Sequence, residues 1–281
     1  MSWCSPHWAR RSVEKILGRG DDVLTAETLQ RPPSGDAGIR QGAAWSVVVT
    51  RLRHVYGGHA NVESLLDRVS RSLATALATR PQDLAQLDAE RRADPDWISA
   101  SGQAVYTFYT DRFAGSLKGL ASRTAYLKDL GVRWVHPLPL LKPRPGDSDG
   151  GFAVADYRQV DPALGTMEDL SALATTMRQE GIGLLLDIVS NHTAREHAWA
   201  QKAREGDLRY RDYYIVLNDE REVADREKDL IDVFPDTAPG NFTWDAEMGG
   251  HVWTTFYPFQ WDLTLPGRVR FGNDIVCELS H

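Results

Sequence analysis

Ile182-Gly-Leu-Leu-Leu-Asp-Ile-Val189, running on into Ser190-Asn191-His192, is the stretch whose reading decides the fold. Its apolar residues show little alternation, which is what a strand buried on both faces requires. A helix is predicted directly upstream. Thr166 with Asp169 three residues later has the form of a capping box, Leu170, Leu173, Ala174 and Met177 fall on one helical face, and Gly181 closes the element. The same alternation recurs further upstream: Val105-Tyr-Thr-Phe-Tyr109 reads as a buried strand, Leu117 to Leu130 as a helix ended by Gly131, and Val132 to Leu140 as a second strand. Helix–strand alternation of this kind implies an α/β fold with a parallel sheet joined by right-handed crossovers, either doubly wound or closed into a barrel.

On the N-terminal side, Leu66, Val69, Leu73 and Leu77 recur at helical spacing behind Asn61 as N-cap and stop before Pro81, and a second helix is expected through Leu84 and Leu87. Residues 48–98 are therefore read as a helical N-terminal domain, closed by Asp94-Pro-Asp-Trp97, and residues 1–47 as a poorly patterned tail containing Arg31-Pro-Pro-Ser-Gly-Asp-Ala-Gly38. On the C-terminal side, residues 193–263 are rich in aromatics, Pro, Gly and charge, the pattern of a functional insertion after a strand. Residues 264–281 form a divergent tail.

With 281 residues, 42% hydrophobic and 25% charged, the chain has material for real cores, so disorder is excluded as its overall class. The formal charge is 32 − 39 = −7 with no basic run, which gives nucleic acid or an anionic membrane no electrostatic footprint. Cys4 and Cys277 stand at opposite ends, neither a disulfide framework nor a zinc pattern, so a reducing cytoplasm is the expected compartment. No segment approaches the ~20 apolar residues that span a bilayer, and none resembles a signal peptide.

The candidate chemistry lies at the end of the decisive strand, where Asp187 is followed by Asn191 and His192. In a barrel, the carboxyl ends of strands are where catalytic groups converge. His192, Glu196 and His197 do not form a zinc helix, because the histidines are five apart rather than four and the Glu is misplaced. No metal and no cofactor are expected. Asn191-His-Thr193 and Asn241-Phe-Thr243 are glycosylation sequons that matter only in a secreted protein.

Asp156-Tyr157-Arg-Gln-Val-Asp161-Pro-Ala-Leu-Gly-Thr166 followed by Asp187-Ile-Val-Ser-Asn191-His192 resembles the α-amylase superfamily, glycoside hydrolase family 13. Asp111-Arg-Phe-Ala-Gly115, Ser148-Asp-Gly-Gly151, Glu196-His-Ala-Trp-Ala-Gln201, Val233-Phe-Pro-Asp236 and Trp253-Thr-Thr-Phe256 through Phe259-Gln-Trp-Asp-Leu263 are similar to its amylosucrase branch, over roughly residues 48–263. The resemblance implies a TIM (β/α)8 barrel, of which residues 99–192 would be the first three βα units and residues 193–263 an inserted B-like domain. It also implies glucosyl transfer from sucrose onto an α-glucan, with no cofactor; the alternatives are a non-catalytic saccharide-binding fragment or a remnant of a sucrose hydrolase or α-glucosidase. By the same resemblance His192 would bind hydroxyls of the glucosyl ring and Asp149 would close the pocket bottom. Phe152 stands where the family has a tyrosine that stacks on the ring, so the apolar face is kept and a hydroxyl lost. Phe259, Gln260 and Asp262 match a further pocket motif, while Tyr157, Asp161, Asp187 and Asn191 are motif residues with structural roles. Asn191 matches a metal ligand of calcium-dependent amylases, a role the amylosucrase branch does not imply.

Retaining glycoside chemistry uses two carboxyl groups about 5 Å apart. The family carries its nucleophile on the fourth strand, in a G-x-R-x-D setting, and its acid on the fifth, and neither has a counterpart here. After Asp262-Leu263 the expected motif breaks into Thr264-Leu-Pro-Gly and an unrelated tail, as a frameshift would produce. A chain with three barrel strands is expected to be inactive alone, and to self-associate through the open sheet edge.

Overall fold

The computed structural model describes residues 42–58, 60–94, 96–99 and 102–264. The Arg31–Gly38 stretch, both cysteines and the divergent tail beyond Thr264 lie outside them. The chain divides into two units at residues 95 and 96.

In the first unit, α1 (Ala43–Tyr56) and α2 (Val62–Ala78) pack through buried Trp45 and Leu66, with Val48, Val49, Leu52 and Val69 around them. Helix α1 thus begins inside the stretch read as a tail, because Trp45 finds an apolar partner in Leu66. Asn61 precedes α2 but makes no side-chain cap hydrogen bond. The expected apolar stripe holds only in part, since Leu73 and Leu77 are exposed among the described residues. Helix α3 (Gln82–Ala93) buries no residue; Arg80 braces it through a forked pair with Asp88.

The second unit is built on a three-stranded parallel sheet in the order β1 (Ala104–Phe108), β2 (Val132–Pro137), β5 (Gly183–Leu184). The segment expected as one helix over residues 117–130 is three short pieces with the preceding turn: α4 (Thr110–Ala114), α5 (Leu117–Ser122) and α6 (Thr124–Asp129). The break falls at Arg123, whose N–H turns tightly back to the Leu120 carbonyl, and Leu130 is left exposed. Between β2 and α7 (Met167–Gln179) runs an antiparallel pair, β3 (Leu141–Pro143) and β4 (Val154–Val160).

Helix α7 forms as its sequence dictates. The Thr166 hydroxyl accepts from the Asp169 N–H, and the Asp169 carboxylate accepts from the Thr166 N–H. At its other end Gly181 takes φ 73°, and the Ile182 N–H returns to the Met177 carbonyl. Leu170, Leu173 and Met177 enter one core with Leu117, Leu120, Leu127, Val135 and Ile182.

The decisive strand is shorter and more open than its apolar run predicts. Only Gly183 and Leu184 pair with β2, the ladder reaching one step further through the Leu185 N–H to the Val135 carbonyl. Residues 185–190 carry no regular structure, and Leu185, Leu186 and Ile188 are exposed. On the opposite edge Val105 and Tyr106 are exposed too, where a buried strand was expected. The reason is common to both: each is an edge strand with a neighbour on one side only.

The remaining elements are β6 (His192–Ala194), α8 (Ala198–Arg204), α9 (Leu208–Arg211), β7 (Val216–Leu217), α10 (Glu220–Glu227), β8 (Phe242–Asp245), β9 (Gly250–Trp253) and β10 (Gln260–Asp262). A second core gathers Tyr213, Tyr214, Val252, Trp261 and Leu263. Strands β7, β9 and β8 make one antiparallel sheet, and β6 pairs with β10 so that His192 faces Asp262 and Ala194 faces Gln260. No described helix is long and apolar enough to cross a membrane.

Candidate active site

The site forms where the seam between β6 and β10 meets the loop joining β3 to β4. That loop turns on three consecutive residues of positive φ, Asp149 (53°), Gly150 (63°) and Gly151 (99°). A Cβ at Gly150 would stand 2.6 Å from the Tyr109 hydroxyl and one at Gly151 3.2 Å from Pro139, so space is tight at both while their positive φ favours glycine. Asp149, the one non-glycine residue of positive φ among those described, belongs to a residue type that tolerates this region. The Gly151 N–H donates to both the carbonyl and the hydroxyl of Ser148, and the Ala153 N–H to the same carbonyl, which folds the loop back on itself.

This turn delivers Asp149 to the seam. Gln260, fully buried, donates from Nε2 to Asp149 Oδ2 at 3.1 Å, and the same nitrogen lies 3.1 Å from His192 Nε2. The amide oxygen of Gln260 accepts the Tyr257 N–H at 3.0 Å. Asp149, His192 and Gln260, distant in sequence, are therefore one hydrogen-bonded group. His192 is also edge-on to Phe256, 5.3 Å between centroids, and its Nε2 is 3.2 Å from the Phe152 carbonyl. Phe152 thus reaches His192 through its backbone.

Asp262 is a structural anchor of the seam. It accepts from the Asn191 amide and from both the N–H and the hydroxyl of Thr255. Tyr157 serves the same end, its hydroxyl lying 2.8 Å from the Val189 carbonyl and 2.9 Å from that of His192. Burial holds the Tyr157 phenol well above its ordinary range, so it remains a donor. Asp187 stands apart from this group: its Oδ1 pairs with His136 Nε2 at 3.1 Å, linking the ends of β2 and the decisive stretch, while its buried Oδ2 has no partner. Asp161 closes a turn by accepting the Ala163 N–H.

Phe259 packs with the Arg144 guanidinium 4.4 Å from its ring centroid and with Tyr257, parallel within 3° at 5.2 Å. Tyr257 stacks in turn on Phe234 at 4.8 Å. Arg144 also forks onto Glu196, from Nε at 2.9 Å and Nη2 at 2.8 Å, and holds the Asp147 carbonyl. It ties the Asp149 loop to the segments that follow β6 and precede β10. Burial pushes the Glu196 carboxyl up, but its bonds to Arg144 prevail and hold it below the usual range; the Arg144 guanidinium is raised in turn. Nothing in the sequence marked Arg144, a lone cation in a Pro-Gly loop; Thr255 lies within the quoted Trp253–Phe256 motif, but its contacts and those of Tyr257 were not legible because they come from the backbone or a hydroxyl.

The other sequence features are absorbed structurally. His197 Nδ1 caps α8 by accepting the Trp199 N–H, and burial drives its imidazole down to about 4. The sequon residue Asn241 is buried and bonded to Glu227 and Asp232. No group of three or more metal-ligating residues occurs among the described residues.

The family profile described as "Alpha amylase, catalytic domain" matches residues 81–267. The chain is similar to a trehalose synthase from Pimelobacter sp., 39% identical over 181 residues, covering 60% of this chain and 30% of that protein. It is similar to a trehalose-6-phosphate hydrolase from Escherichia coli, 32% identical over 195 residues, covering 62% and 32%. Among solved structures, the trehalulose synthase from Pseudomonas mesoacidophila is 26% identical with a TM-score of 0.53, covering 62% of this chain and 32% of that one. An isomaltulose synthase mutant from Erwinia rhapontici, solved in complex with its natural substrate sucrose, is 27% identical with a TM-score of 0.54 at the same coverage. The chain spans about a third of the length of these relatives. With well over half of its residues inside the family match, the chain belongs to the alpha-amylase catalytic-domain family, glycoside hydrolase family 13.

Proposed function

We propose that the chain is the N-terminal part of a cytoplasmic, α-glucosyl-transferring catalytic domain of the amylosucrase kind, moving glucosyl from sucrose onto an α-glucan. In this reading β1, β2 and the Gly183–Val189 stretch are the first three strands of a (β/α)8 barrel, and residues 193–263 are the inserted domain. The observation that carries it is the convergence of Asp149, His192 and Gln260 at hydrogen-bond distance. A hexose offers a rim of hydroxyls and an apolar C–H face, and polar groups set beside Phe152 and Phe256 suit both. The two carboxyl groups of a retaining mechanism are assigned to polypeptide outside residues 42–264, so the group at this seam is read as binding the sugar and not as carrying out the transfer. Exposed Val105, Leu186 and Ile188 are then the positions that further barrel strands, or a second copy, would cover.

Isomerisation of sucrose or trehalose is the second reading, favoured by the named activities of the relatives. Titration calorimetry with sucrose and trehalose tests the pocket, and a preference for trehalose over sucrose would set the second reading above the first. Binding weakened at least tenfold by Asp149→Asn supports the pocket; absence of binding to either sugar removes it. Fructose release by the chain alone would overturn the placement of the carboxyl groups.

A further inference from the structure

We propose that Gln260 is a positioning residue that holds His192 as the neutral tautomer carrying its proton on Nδ1, with Nε2 as an acceptor. The ring nitrogen faces two groups that ask opposite things of it. The Phe152 carbonyl, 3.2 Å away, would be served by a protonated Nε2, whereas the Gln260 amide nitrogen, 3.1 Å away, needs a lone pair there.

Which group prevails follows from their other partners. The orientation of the Gln260 carboxamide is fixed at both ends, its oxygen by the Tyr257 N–H and its nitrogen by Asp149 Oδ2. Flipping it would set oxygen against a carboxylate and N–H against N–H. A carboxamide nitrogen has two hydrogens; one goes to Asp149 and the other points at His192. Gln260 is fully buried, so a hydrogen denied the imidazole lone pair would face a second donor away from water. The Phe152 carbonyl has no such need, since it already accepts the Val154 N–H at 3.1 Å. The other ring nitrogen, Nδ1, is also buried, so either tautomer places one hydrogen away from water; a proton on Nε2 would in addition press donor against donor at 3.1 Å from the Gln260 amide nitrogen, and the ring proton therefore goes to Nδ1.

On the reading of this group as a hexose pocket, the consequence is a specificity device. A sugar hydroxyl that displaces the Gln260 hydrogen meets acceptors on both sides, Asp149 and His192 Nε2, and must enter as a donor. A fluorine in its place, which accepts but cannot donate, is rejected.

Two-bond proton–nitrogen correlation spectra of the 15N-labelled full chain read the tautomer directly. The wild type is expected to show His192 Nε2 as the unprotonated nitrogen and Nδ1 as the protonated one. Gln260→Glu presents an acceptor in place of the donor and moves the proton to Nε2; Gln260→Leu, which leaves the Phe152 carbonyl unopposed, does the same. A wild-type spectrum with Nε2 protonated overturns the proposal whether or not either variant folds, as does a folded Gln260→Glu chain with the tautomer unchanged. Adding sucrose to the wild type tests the pocket separately: the expected tautomer with no sucrose-induced shift of His192 would retain the Gln260 assignment and refute the sugar reading.

Discussion

Arg144→Ala is expected to destabilise the unit beginning at Asp96 by about 3 kcal/mol, from two sources. The forked pair with Glu196 leaves 13% of the Arg144 side chain and 28% of the Glu196 side chain exposed. It stands between surface pairs, worth ~0–1 kcal/mol, and buried ones, where losing a partner costs ~3–5 kcal/mol, so about 2 kcal/mol is reasonable. The guanidinium on the Phe259 ring adds about 1 kcal/mol. Glu196 keeps a weaker contact with Arg195 at 3.5 Å, which limits the cost of stranding its charge. Arg144→Lys keeps the charge but not the planar fork, and should recover roughly half of the loss. Urea unfolding followed by tryptophan fluorescence at pH 7, on Arg144→Ala, Glu196→Ala and the double variant, gives the pair's coupling, expected at about 1–2 kcal/mol. Because the Glu196 carboxyl is held low, the coupling is present above its unfolded range near 4.5 and disappears as pH falls through the folded value. A coupling near zero at pH 7, or one that persists in acid, would refute the ion-pair account.

His197 supplies a pH signature of its own. Its folded value of about 4 lies below the ordinary 6.5, so the unfolded chain binds more protons between them and stability rises with pH across that window. Lowering pH from 7 to 5 should cost about 2 kcal/mol through this residue. His197→Asn, which keeps a capping acceptor for α8, should remove most of that slope; an unchanged slope would place its origin elsewhere. Gly183→Ala tests the sheet. A Cβ there would stand 2.2 Å from the Trp134 ring, which is held by Gln103 at 2.9 Å and packed on Trp97. A loss of about 2 kcal/mol or more is expected, and wild-type stability in urea would mean that the ring moves aside freely.

Local rules made some elements legible and tertiary context overrode others. Helix α7 could be read because its capping box, apolar face and closing glycine all belong to adjacent residues. The Ile182–Val189 strand was overextended because an apolar run reports what a segment would bury, while its length as a strand depends on a neighbour to pair with. Leu117–Leu130 kept its apolar face but not its continuity, since periodicity carries no information about the turn at Arg123. In the site, Asp149, His192 and Gln260 were visible as side chains through motifs. Their mutual contacts were not, because these depend on the β6–β10 register and on a positive-φ turn. Arg144 was invisible for the same reason, being defined by Glu196 and Phe259 rather than by its own surroundings.

The seam between β6 and β10 has a bearing on how this fold tolerates change. The chain leaves at Ala194 and returns at Gln260 to the directly opposing position, and the ladder extends through the Arg195 N–H to the Phe259 carbonyl. Everything between these residues is a cassette whose ends are already joined. Closing a longer or shorter excursion at such a junction costs only logarithmically in length, so residues 196–258 can be exchanged or resized with little penalty to the parallel sheet. Glu196, Phe256 and Tyr257 lie within that cassette, whereas Asp149, His192 and Gln260 lie outside it. Variation or domain grafting there can remodel the pocket's surroundings, but the hydrogen-bonded centre stays in place only where a backbone N–H like that of Tyr257 still meets the Gln260 oxygen and a carboxylate like that of Glu196 still holds Arg144.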